Sequence, residues 1–67
     1  MTLREWLIGK DPKDFIDYTF SDGSDYDECD YISIEEAMTL EDKYLNAEVV
    51  RGEKLDVEDT YLVDLRV

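Results

Sequence analysis

Two stretches of alternating polarity limit what this chain can fold into. In DFIDYTF, residues 14–20, Ile16, Tyr18 and Phe20 alternate with Asp17 and Thr19; in TYLVDLRV, residues 60–67, Tyr61, Val63, Leu65 and Val67 alternate with Leu62, Asp64 and Arg66. A period of two sends successive side chains to opposite faces of a strand, so each stretch predicts a half-buried strand, the first over about 15–20. Their β-branched and aromatic content favours the same assignment. Asp11-Pro12-Lys13-Asp14, just upstream, also fits the start of a helical turn. The alternation that follows it decides for a strand.

The remaining elements follow from end signals. Thr2 and Glu5 have the spacing of a capping box, in which each side chain satisfies a free backbone N–H, and Gly9 is placed to end a helix over about 3–8 with Leu3, Leu7 and Trp6 inward. SDGS at 21–24 supplies turn chemistry, which predicts a hairpin returning near 28–32. Ser33 and Glu36 repeat the capping-box spacing ahead of a second helix with Ile34, Ala37, Met38 and Leu40 as its apolar stripe. AEVVRGEKLDV and TYLVDLRV then read as two strands joined around Glu58-Asp59. The expected fold is α+β: a small antiparallel sheet of about four strands with two short helices on one face, in the order α-β-β-α-β-β, forming one domain over residues 1–67.

A chain of 67 residues buries only ~60% of the surface its unfolded form exposes, and Cys29 is the only cysteine, so no disulfide helps. Such a core rarely supplies more than ~3–5 kcal/mol. Against that margin stands a net charge of −12, from 19 acidic and seven basic residues. The charge is unevenly placed. From Asp14 to Asp42 there are eleven acidic residues and no Lys or Arg, and SDGSDYDECDY at 21–31 alone holds five carboxylates and two tyrosines. An ordinary solvated surface intersperses both signs. A negative charge of this size disfavours binding to nucleic acid or anionic membrane and favours basic partners.

Other chemistries find little support. The absence of His removes the commonest general base and the commonest transition-metal ligand. Cys29 sits beside Asp27, Glu28 and Asp30, which disfavour its thiolate. The chain is therefore expected to be non-catalytic and to use no cofactor. Asp22, Asp25, Asp27 and Asp30 are hard oxygen ligands, but no Gly follows the Asp25-x-Asp27 pair where an EF-hand requires it, which leaves an irregular calcium site or a solvated turn. The only apolar run near the N-terminus, Trp6-Leu7-Ile8, is far shorter than a signal-peptide core or a spanning helix, so a bacterial cytoplasmic location is expected.

What fits the charge distribution is a protein surface that resembles a nucleic-acid backbone. Carboxylates at i and i+2 on a strand lie ~6.6 Å apart on one face, a separation of the same order as that between neighbouring phosphates. The residues expected to contact a partner are Asp22, Asp25, Asp27, Glu28 and Asp30, then Glu35 and Glu36, with Tyr26 as an exposed aromatic anchor. Glu35 and Glu36 have a second explanation, since the first turn of a helix favours acidic residues in any case. Tyr18 lies in the same region but fits a core position.

MTLREWL, IDYTFSDGS followed by SIEEAM, and YLNAEVVR with TYLVDLRV resemble the short α+β accessory proteins encoded by bacteriophages and prophages. Small acidic proteins of that kind are similar in charge and size to anti-CRISPR and anti-restriction inhibitors, several of which act as DNA mimics. The resemblance implies a basic DNA-binding or nuclease partner, such as a CRISPR effector, whose DNA site the acidic region covers. The competing expectation is a structural or regulatory protein–protein interaction module of a phage or bacterial assembly, with acidity serving solubility. In both cases the folded state carries unscreened repulsion, and thermal melts should show the melting temperature rising from low to moderate ionic strength. An unchanged or lower value would count against that repulsion.

Overall fold

The computed structural model describes residues 1–56 and 59–67. Along the chain these form α1 (Leu3–Leu7), β1 (Phe15–Ser21), β2 (Glu28–Ser33), α2 (Ile34–Ala37), α3 (Asp42–Leu45), β3 (Glu48–Lys54) and β4 (Thr60–Arg66). The α+β class is as expected; β1, β2 and β4 fall where alternation and turn signals put them, and β3 lies within the stretch AEVVRGEKLDV. Val57 and Glu58, part of the expected second hairpin, lie outside the described residues; Asp59 beyond them has a φ of 46°.

The sheet corrects the antiparallel expectation. Its order is β2-β1-β4-β3; the outer pairs are antiparallel, but the central pair, β1 and β4, is parallel over seven registered positions from Phe15↔Thr60 to Ser21↔Arg66. The two strands with the strongest alternation take the two central places. Their inward rows then lie side by side, Ile16 with Tyr61, Tyr18 with Val63 and Phe20 with Leu65. Each brings its hairpin partner along on the outside. As a result β2 and β3 run in the same direction, and the chain between them must travel back along the sheet.

That return path is the second correction. One helix was expected after Ser33, and the structure has two single turns, α2 and α3, so the order is α-β-β-α-α-β-β. Ser33 accepts the Glu36 N–H at 3.1 Å as the capping pattern predicts, but only the α1 box is reciprocal, Thr2 N–H donating to Glu5 and Glu5 N–H to Thr2. Thr39 closes α2 by donating both its N–H and its hydroxyl to the Glu36 carbonyl. Met38, the C-cap of α2, is exposed, and Leu40 beyond the stop is half-buried.

All three helices contribute to one core on one sheet face. Leu3 and Leu7 of α1, Ile34 and Ala37 of α2 and Leu45 of α3 cluster with Ile16, Tyr18, Phe20, Ile32, Val63 and Leu65 from the sheet. Fully burying a side chain such as Val63 or Leu65 is worth about 1.5–3 kcal/mol, so each is a large share of the stability open to this domain. Among the described residues no helix lies over the opposite face. There Phe15 and Tyr31 stack at 5.3 Å with their rings 6° from parallel, and the Tyr31 and Thr60 hydroxyls lie 3.3 Å apart.

Trp6 ties α1 to the β3 side. Its indole meets Tyr61 edge-on at 5.2 Å and lies over Gly52, where a Cβ would come within 2.6 Å of the ring nitrogen. Glycine at this position makes room for the indole. Gly52→Ala should therefore cost about 1–3 kcal/mol by urea denaturation, as overpacking does. Combined with Trp6→Leu, which removes the clash, it should cost clearly less than the two single effects added together.

Candidate functional site

The sheet order puts β2 at an edge, and the acidic residues singled out from the sequence lie on it or next to it. Asp22, Asp25, Tyr26 and Asp27 lie in the β1–β2 loop, Glu28 and Asp30 on β2, and Glu35 and Glu36 in the first turn of α2. Every one of these eight residues is exposed. Both ion pairs among the described residues lie elsewhere, Arg4–Asp42 between α1 and α3 and Arg51–Glu53 on β3.

Short polar contacts shape the loop. The Ser24 N–H donates to Asp22 Oδ1 at 2.9 Å, Gly23 between them has a φ of 89°, and the Ser24 hydroxyl donates to the Tyr26 carbonyl at 2.9 Å. This is an Asx turn, which forms because a short carboxylate can reach its own backbone two residues on. Ser21 then donates its hydroxyl to Asp27 at 2.9 Å across the base of the loop. Asp25 at the tip makes no side-chain hydrogen bond or ion pair among the described residues. Tyr26 next to it is 84% exposed, so the aromatic expected to stand free does so.

Past the loop, alternation sorts β2 into two rows. Glu28, Asp30 and Ile32 oppose Phe20, Tyr18 and Ile16 and share the helix-bearing side, while Cys29 and Tyr31 oppose Thr19 and Asp17 on the uncovered side. Glu28 and Asp30 are thus the one pair that realises the i, i+2 carboxylate spacing. Glu28 accepts the Tyr44 hydroxyl at 2.5 Å, which fastens α3 to the edge strand and pushes the Tyr44 phenol above its ordinary range. Tyr18, a core residue as expected, is also pushed up, first by burial and then by Asp30, Tyr44, Glu28 and Glu36. Asp30 pairs directly with Tyr18 across the strands, and Glu28 with the neighbouring Phe20. Asp22, Asp25 and Tyr26 lie before Glu28 along the loop.

Tyr44 and Lys43 were not among the residues singled out from sequence. Lys43 lies with its ammonium 4.8 Å from the Tyr44 ring centroid, and its pKa is raised first by hydrogen bonding to Tyr44 and further by the Tyr44 and Glu28 charges. It also helps lower Asp22, after the hydrogen bonds from Ser24. No local signal could have placed them there, because Tyr44 and Glu28 are 16 residues apart and meet only through the return path between β2 and β3. The Cys29 thiol is exposed, 3.7 Å from the Thr19 hydroxyl. Among the described residues no group of three or more acidic or cysteine side chains is arranged to hold a metal ion, and no helix is long and apolar enough to cross a membrane.

Comparison with protein-family models, with curated proteins and with solved structures finds no match. The acidic edge has to be read from its own geometry.

The Ser24 hydroxyl close by and the Ser24 N–H, which donates to Oδ1 at 2.9 Å, hold the Asp22 carboxyl below the usual aspartate range. A depressed carboxyl contributes stability that is present above its unfolded-state pKa and lost as pH falls through the folded-state value. Carbon-detected NMR titration should find Asp22 as a low outlier. In Ser24→Ala its pKa should move part of the way back up, since the backbone donor remains. An Asp22 titrating in the usual aspartate range would mean that the Asx turn does not persist in solution.

Proposed function

We propose that this protein is a non-catalytic binding protein that presents its acidic edge to a basic, nucleic-acid-handling enzyme and blocks that enzyme's DNA site. The observation that carries the reading is the segregation of charge. Asp22, Asp25, Asp27, Glu28, Asp30, Glu35 and Glu36 follow one another in sequence along one sheet edge and into α2 without an intervening cation, Lys43 of α3 being brought near Glu28 and Asp22 by the fold, whereas Arg51 and Lys54 lie on the opposite edge strand. Carboxylates on a folded scaffold can meet Lys and Arg side chains placed for phosphates, with no base chemistry required. Association by such a surface is fast, steered and weakened by salt.

Tyr26 adds what charge alone does not. An exposed ring between Asp25 and Asp27 can stack on an arginine or fill a small pocket, as aromatic anchors do at interface hot spots. A nuclease of a bacterial defence system is the partner class this reading favours.

The test starts from capture of bacterial proteins on the tagged chain, followed by purification of a captured DNA-handling enzyme. Duplex DNA and moderate salt should each displace it. The combined Asp25→Lys, Asp27→Lys and Asp30→Lys variant should lose at least about tenfold in inhibition, with its circular dichroism unchanged, because several charge-assisted contacts go at once. Full inhibition by that variant, or simultaneous binding of the enzyme to DNA and to this protein, would sink the proposal.

A further inference from the structure

The two edges of the sheet differ in how they are closed. On β3 the N-terminal residues cover the start of the strand, through the Thr2↔Glu48 bridge and a 2.8 Å bond from the Val49 N–H to the Met1 carbonyl, and the register shifts between Val49 and Arg51. Such a bulge is a common device for spoiling an edge. On β2 the register with β1 is unbroken over six consecutive pairs, Phe15↔Ser33 to Phe20↔Glu28, the strand has no proline, and among the described residues no strand pairs with its outer side. Four of its six residues, Glu28 to Tyr31, are exposed.

The outward backbone groups of β2 can be identified. The Phe15 N–H donates to the Asp59 carbonyl and the Ser21 carbonyl accepts from Val67 N–H, so the odd-numbered residues of β1 bond toward β4 and the even-numbered ones toward β2. Across the antiparallel register the partners of those even residues, Glu28, Asp30 and Ile32, bond inward, which leaves the peptide groups of Cys29 and Tyr31 facing out. One detail agrees with that assignment. The Tyr31 N–H, having no strand to meet, donates to the Asp30 carboxylate at 2.8 Å.

We infer that β2 is a docking edge for an extended basic segment of a partner protein, which adds as a fifth strand beside Glu28–Ser33. This rests on the acidic-edge reading above and specifies how the partner engages it. Charge selects the occupant: a second copy of this chain would bring Glu28 and Asp30 against their own kind, whereas a strand with Lys or Arg at alternate positions would set its cations beside them. Main-chain bonds to Cys29 and to the Tyr31 carbonyl would hold it. A cation that takes up the Asp30 carboxylate also releases the Tyr31 N–H, so the charge contact and the strand contact form together. The acidic side chains thus close the edge to copies of this chain and leave it open to a basic strand.

The experiment uses the full chain and a capped six-residue peptide, Lys-Thr-Lys-Val-Lys-Thr, beside the same peptide with two adjacent central amides N-methylated. Methylation leaves the charge untouched and blocks pairing on either edge of the peptide. In NMR titrations at low salt the plain peptide should perturb the amides of residues 28–33 and slow hydrogen exchange at Cys29. The methylated peptide should bind roughly tenfold more weakly, as expected for the loss of one or two backbone bonds. Cys29→Pro, which removes an outward N–H at a position where an edge strand tolerates proline, should weaken the plain peptide similarly. Equal affinity of the two peptides would overturn strand addition and leave the phosphate-like surface standing. Perturbations centred on β3, or no binding of either peptide, would overturn it as well, while the DNA-competition result would still decide the wider reading independently.

Discussion

The parallel contact between β1 and β4 organises the molecule. Its inward rows, Ile16, Tyr18 and Phe20 beside Tyr61, Val63 and Leu65, form the continuous apolar strip on which all three helices pack. A core this small has little stability to lose, so the two most strongly patterned strands occupy its centre, where both neighbours are strands. The rest follows from chain direction. Hairpins on either side put β2 and β3 outermost, and because those two run the same way, residues 34–47 must cross one face between them. That crossing brings Ile34, Ala37 and Leu45 onto the strip and Tyr44 to Glu28.

Much of this was legible in the sequence, and the failures have physical causes. Periodicity and turn chemistry marked β1, β2 and β4, since they are properties of a few neighbouring residues: Ile16, Tyr18 and Phe20 alternate whatever lies beside them. The parallel central pair left no such trace, because strand direction depends on which hairpin partner is displaced outward, a choice made by the whole sheet. The merged second helix failed for a local reason. Met38 and Leu40 continue the apolar stripe of Ile34 and Ala37, but Thr39 bonds back to the Glu36 carbonyl and ends the turn before the stripe can be used.

The acidic residues were equally visible, and the eight singled out are all exposed on or next to one edge strand. Their environments were less legible. Asp22 and Asp27 are engaged by serines close in sequence, which turn preferences foreshadow, whereas the link from Glu28 to Tyr44 joins two segments that no local pattern connects. Asp14 shows how position rather than composition governs cost. It is pushed up by desolvation and by Asp59 and Asp11, because the parallel pairing of β1 with β4 brings the chain before each strand to the same end of the sheet.

Edge protection by itself would account for some of the charge on β2, since exposed strand edges invite pairing and like charges prevent it. It does not account for all of it. Protection of one six-residue strand needs a charge or two on that strand, yet the acidity extends from the loop tip at Asp25 through β2 to Glu36, well past the pairing surface. The β3 edge makes the contrast, for it is guarded by a bulge and by residues 1 and 2, and its charges are of both signs. Two edges of one sheet are therefore kept from aggregating by different means. Only the means used on β2 discriminates between strands by charge, repelling acidic ones and attracting basic ones, and the fold places it where every inward backbone bond is already made.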